Sequence, residues 1–136
     1  MKRTKTFPGN YQSLPNISKF VVEAAQEAGL DEQEIYEVDL AVDEACCNII
    51  DHAYGGENIG EMQCSVQIGD NTLTVVLKDR GRPFDPSRVP LPVYDVPIEQ
   101  LKRRGVGFFL MHKVMDELHF ETSSESGNTL VMVKRG

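Results

Sequence analysis

Apolar residues recur at helical spacing in two long segments near the start of the chain. Ile17, Phe20, Val21, Ala24, Ala25 and Ala28 follow Asn16, a good N-cap residue, and stop at Gly29, which predicts a first helix between them. A second opens at once. Asp31 and Glu34 have the spacing of a capping box, and Ile35, Val38, Ala41, Val42, Ala45, Ile49 and Ile50 form one stripe that runs until Gly55-Gly56. The period then changes to two: Met62, Cys64, Val66 and Ile68 alternate with polar residues, Gly69-Asp70-Asn71 reads as a turn, and Leu73, Val75 and Leu77 alternate again. These are two antiparallel strands, and Lys5 to Phe7 reads as a short strand ahead of a loop from Pro8 to Pro15.

Five of the seven prolines lie between Pro83 and Pro97, which makes that stretch a long loop and leaves no room there for a helix or a central strand. Gly105-Val106-Gly107 opens a third amphipathic helix with Phe108, Leu110, Met111, Val114 and Met115 mostly inward. Strands at about 118–122 and 129–134 close the chain, joined by a Ser-Glu-Ser-Gly-Asn turn. There is no internal repeat and no linker. The plan is α+β in one domain: a two-layer α/β sandwich whose helices cover one face of a mixed, mostly antiparallel sheet.

Composition narrows the chemistry. A length of 136 residues gives enough chain for a proper core. The net charge of −7 argues against a general nucleic-acid surface, which needs a surplus of Lys and Arg, yet leaves room for a small anion in a local positive pocket. The three cysteines, Cys46, Cys47 and Cys64, lack metal-ligand spacing and suit no disulfide framework; the first two fall inside a helical pattern as small apolar residues. The basic start MKRTKTF runs into polar residues, so no signal peptide is expected, and no stretch approaches a membrane span. A reducing cytoplasm is the expected compartment.

Three polar features interrupt the patterns. Glu44 and Asn48 are four apart and share one side of the second helix, with His52 continuing the line. Asp79-Arg80-Gly81 ends a strand, where an aspartate and a glycine also suit an ordinary turn. Gly105 and Gly107 follow Arg103-Arg104 at a helix start, where glycines admit a ligand to the backbone and helix-end N–H groups favour an anion. Each alone has a plain reading as solvated face, turn or hinge.

Their order is more specific. An E-x-x-x-N helix, a strand ending in D-x-G, a proline-rich loop, G-x-G opening a helix and a G-N-T turn into a last strand resemble the GHKL ATP-binding superfamily. Within it, VDEACCNIIDHAYGG, LKDRGRPFDP, GVGFFLMHKVMDEL and SGNTLVMVKRG look most like the anti-sigma-factor serine kinases, from about Tyr11 to Lys134.

That resemblance implies a Bergerat-type ATP-binding fold and a site. Asn48 matches the asparagine that holds Mg²⁺ between the phosphates, and Glu44 the acid that activates the attacking hydroxyl. Asp79 matches the aspartate that accepts the adenine amino hydrogens, and Gly81 the glycine that makes room for the base. Gly105 and Gly107 match the phosphate-binding glycines, Thr129 the threonine that backs the adenine through water, and one of Arg103 and Arg104 the arginine near the terminal phosphate. His52 matches a histidine near the phosphates, with a plain helix-surface histidine as the other reading.

The implied activity is that of a Mg²⁺-ATP-dependent serine kinase that sequesters a sigma factor and phosphorylates a STAS-domain anti-anti-sigma protein. Direct contact with nucleic acid or membrane is not expected. A homodimer is one use of the amino-terminal apolar residues, and core packing is the other. Two further readings stand beside this one: a regulatory module that binds ATP without kinase activity, which would not need Glu44, and a domain that phosphorylates a histidine of a partner. The chain has no P-loop, no phospho-accepting histidine hairpin and no gyrase-type transducer.

Overall fold

The computed structural model describes residues 1–83 and 107–136, with only the backbone of 107 and 108. A five-stranded sheet in the order β1-β2-β3-β5-β4 forms one layer, built from β1 (Lys2–Pro8), β2 (Glu61–Gly69), β3 (Thr72–Asp79), β4 (Glu117–Ser123) and β5 (Gly127–Arg135). The helices α1 (Leu14–Glu27), α2 (Glu32–Asn48) and α3 (Gly107–Val114) form the other. Every strand pairing is antiparallel, so the sheet among the described residues is antiparallel throughout and not mixed.

Strand parity decides what meets the helices. Leu73, Val75, Leu77 and Asp79 of β3 face inward, as do Asn128, Leu130, Met132 and Lys134 of β5, and all eight are buried. The five apolar ones pack with Ile17 and Val21 of α1, Val38, Ala41, Val42 and Ala45 of α2, and Met111 of α3. Cys46 and Cys64 are buried in this core, and burial pushes the Cys64 thiol up to about 12, so it acts there as a small apolar residue and not as a thiolate. Lys134 pays for its burial with partners: its Nζ donates to the Val114 carbonyl at 2.6 Å and pairs with Glu37 at 2.9 Å, tying β5 to the end of α3 and to α2.

Element ends follow local chemistry. The Asp31–Glu34 capping box is formed in both directions, at 2.8 Å each way. The first helix begins at Leu14, ahead of Asn16, because Pro15 is tolerated in the first turn, while Asn10 caps a short 3-10 turn over Tyr11–Ser13. The first strand is seven residues long, although Phe7 is its one buried residue. Beyond Asn48, α2 widens into a π-turn over Ile49–Ala53, closed by Tyr54 N–H donating to the Ile49 carbonyl at 2.9 Å. No described helix is long and apolar enough to cross a membrane.

Leu77 is 1% exposed at the centre of this packing. Leu77→Ala is expected to lower unfolding free energy by about 2–5 kcal/mol, read from urea denaturation.

Candidate functional site

One rung of the sheet runs Phe7, Met62, Asp79, Asn128, Thr122 across all five strands on the helix-facing side. Its last three residues are polar, and they bond to each other. Asn128 Nδ2 donates to Asp79 Oδ1 at 2.8 Å and to the Arg82 carbonyl at 2.9 Å, and Thr122 Oγ1 donates to Asn128 Oδ1 at 2.7 Å. Gly81 N–H also donates to Asp79 Oδ1, at 2.8 Å. Asp79 is 6% exposed; burial pushes its carboxyl above the ordinary range, and the bonds from Asn128 and Gly81 oppose that shift.

The end of β3 is fastened to the π-turn of α2. Arg82 N–H donates to the Ala53 carbonyl at 2.7 Å, and Arg82 Nη2 to the His52 carbonyl at 2.9 Å. The Tyr54 hydroxyl bridges the Arg80 N–H, at 3.0 Å, and the Glu61 carbonyl, at 2.5 Å. Gly81 lies so close to this turn that a Cβ there would come within 2.6 Å of the Ala53 carbonyl. The glycine is therefore required for the helix and strand to meet.

Two hollows flank the seam. An open cleft of about 800 Å³ includes Tyr54, Glu61, Gly81 and Arg82, and a narrower one lies between Asn48, Phe120 and Asn128; Ala53 and Asp79 line both. Asn48 is half-buried and Glu44, one turn earlier on α2, is 8% exposed. The structure thus brings Asn48, Asp79 and Gly81 together, with Glu44 on the adjoining turn.

Other expected residues fall differently. His52 is exposed on the π-turn and lines neither hollow. Thr129 does not reach Asp79: it pairs with Lys78 and Glu121, one register step away, and side chains alternate along a strand, so it projects from the other face of the sheet. The residue that meets Asp79 is Asn128, which the sequence reading missed. Its signal was there: Asn128 shares parity with Leu130 and Met132, so it is a polar residue on an apolar face. Gly107 is the first residue of α3. Arg103, Arg104 and Gly105, and the proline-rich loop from residue 84 onward, lie outside the described residues.

Comparison with known proteins identifies the family. Residues 7–134 match the histidine kinase-like ATPase domain. The chain is 34% identical to the serine-protein kinase RsbW of Bacillus velezensis over 114 residues, covering 81% of this chain and 70% of that protein. It is 32% identical to RsbW of Halalkalibacterium halodurans over 133 residues, covering 95% and 80%. In fold it resembles the crystal structure of the RsbU and RsbW domains of Rv1364c from Mycobacterium tuberculosis, with a TM-score of 0.69 at 15% identity; the likeness covers 99% of this chain and 32% of that one. A match that leaves out only the outermost residues, with relatives at 32–34% identity, means that the chain belongs to the histidine kinase-like ATPase domain family.

Proposed function

We propose that this chain is a Mg²⁺-ATP-dependent serine-protein kinase of a partner-switching module, which sequesters a sigma factor and phosphorylates a serine of a STAS-domain anti-anti-sigma protein. The observation that best supports it is the convergence of Asn48 and Asp79 on one hollow with Glu44 one turn away. The relatives named serine-protein kinase RsbW support the phosphoryl transfer.

In this reading Asp79 accepts a hydrogen bond from the adenine amino group, and Gly81 leaves space for the flat ring. Gly105, Gly107 and the amino end of α3 offer backbone N–H groups to the phosphates, and Arg103 or Arg104 meets the terminal one. Glu44 takes the proton of the substrate serine as its Oγ attacks the γ-phosphorus, and ADP departs with the electrons of the broken P–O bond.

The donor set fits Mg²⁺ delivered with the nucleotide. Asn48 offers one neutral oxygen, and no group of three His, Cys, Asp or Glu side chains stands together among the described residues. Mg²⁺ bound at Asn48 would neutralise phosphate charge. The polyanion would then be met locally, although the chain as a whole carries −7. The same acidic excess suits a partner with a basic surface, such as a sigma factor whose surface otherwise meets nucleic acid. The cytoplasm is the proposed compartment and a homodimer the proposed assembly.

Two outcomes test the reading. With Mg²⁺-ATP and a cognate STAS protein, Glu44→Gln is expected to slow phosphoserine formation by about 10²–10³-fold while ATP affinity stays within a few-fold of wild type. Equal rates would remove Glu44 from the chemistry, and ATP binding without transfer by the wild type would leave a regulatory module.

Asp79→Asn is expected to weaken ATP at least about ten-fold by calorimetry, because an amide nitrogen or a turned amide replaces an acceptor. It should not weaken the fold. A carboxyl whose folded pKa is raised contributes stability that is full below its ordinary value, about pH 4, and is lost as pH rises through the raised one. The variant should therefore melt at or above wild type at pH 7–8, with the gap closing toward pH 4. A lower melting temperature at pH 8 would contradict burial as the dominant influence on Asp79.

A further inference from the structure

Asn128 is 2% exposed, and each polar atom of its amide is engaged. Its nitrogen faces two acceptors, Asp79 Oδ1 and the Arg82 carbonyl, and its oxygen faces one donor, the Thr122 hydroxyl. Turning the amide over would set its oxygen against two oxygens, so one orientation is fixed. The consequence falls on Asp79. Among the described residues, the donors that reach it, Asn128 Nδ2 and Gly81 N–H, both land on Oδ1, at 2.8 Å each. Two convergent bonds on one oxygen pin the plane of the carboxylate and leave Oδ2 as the acceptor for whatever enters the hollow.

We propose that Asn128 is a specificity-determining positioning residue: by holding Asp79 through Oδ1 and the chain beyond it through the Arg82 carbonyl, it makes the site choose a 6-aminopurine over a 6-oxopurine. A 6-amino group brings a donor to the fixed Oδ2. A 6-oxo group in the same pose brings a second acceptor, and the two oxygens repel. A carboxylate able to rotate would escape that clash by swinging to accept the N1–H of the 6-oxopurine. Asn128 prevents the swing. A site built around one hydrogen-bond pattern discriminates strongly because the wrong partner leaves a buried polar group unpaired. The inference rests on the reading of Asp79 as the base-recognising group.

Dissociation constants for ATP and for ITP, measured by calorimetry with Mg²⁺ on the full chain, test it. The wild type is expected to favour ATP over ITP by at least about ten-fold. Asn128→Ala removes the donor and should bring the ratio close to parity, mainly by weakening ATP. Asn128→Asp keeps the shape and guards against a failure of the alanine variant to fold; it sets a second carboxylate against Asp79, so that the pair shares a proton, and it too should lose the preference. Thermal melts establish that each variant is folded. If a folded variant weakens ATP and ITP equally, or keeps the wild-type ratio, Asn128 is only structural and the proposal falls. Wild-type protein that binds ATP and ITP alike overturns the proposal and leaves ATP binding standing. Wild-type protein that binds neither overturns the ATP reading and the proposal together.

Discussion

The contact on which the site depends is the one between Gly81 and the Ala53 carbonyl. Helix α2 carries Glu44 and Asn48; strand β3 carries Asp79. The two elements are far apart in sequence and meet at one seam, where the chain can approach only because residue 81 lacks a Cβ. Bonds from Arg82 to His52 and Ala53, and the Tyr54 hydroxyl between Arg80 and Glu61, then lock the approach. The helix enters the seam through a π-turn, whose wider backbone presents the His52 and Ala53 carbonyls to the strand end. The result is a fixed separation between the two sets of polar side chains. Rigid mounting of this kind lets a few side chains recognise a ligand without first having to be ordered.

The same region places charge and amide groups where apolar side chains would pack more simply. Asp79, Asn128 and Glu44 are all buried beside a hydrophobic core. An unpaired buried polar group costs on the order of 1–3 kcal/mol, so the network of Thr122, Asn128, Asp79 and Gly81 offsets much of that cost by satisfying each group with the next. Lys134 does likewise at the other end of β5. Strand β5 is therefore apolar in its middle and polar at both buried ends. One polar end bonds to Asp79 and the other fastens the helical layer.

Much of this was legible in the sequence wherever a period was strong. The stripe of α2, its Asp31–Glu34 cap and the alternation of β2, β3 and β5 are local signals, and the structure keeps them. Strand β1 reads as only three residues in the sequence because Phe7 is its one buried residue, and an edge strand of Lys, Arg and Thr leaves little pattern to find. The error over Thr129 has a different cause. Spacing along the chain does not say which face a strand residue takes, and a shift of one position exchanges the two faces. Counting parity back from Met132 and Leu130 would have chosen Asn128. The seam at Gly81 was not legible, since nothing local to residues 79–82 announces the π-turn it meets.

The attachment of Lys134 to the Val114 carbonyl gives α3 a fulcrum. The helix is pinned at its carboxyl end to the last strand, and its amino end is Gly107. Any tilt about that pin is smallest at Val114 and largest at Gly107. At 1.5 Å per residue the arm is about 10 Å, so a rotation of roughly 10° carries the first turn by about 2 Å. The Lys134 hydrogen bond at the carboxyl end of α3 thus sets the pivot for any such rotation.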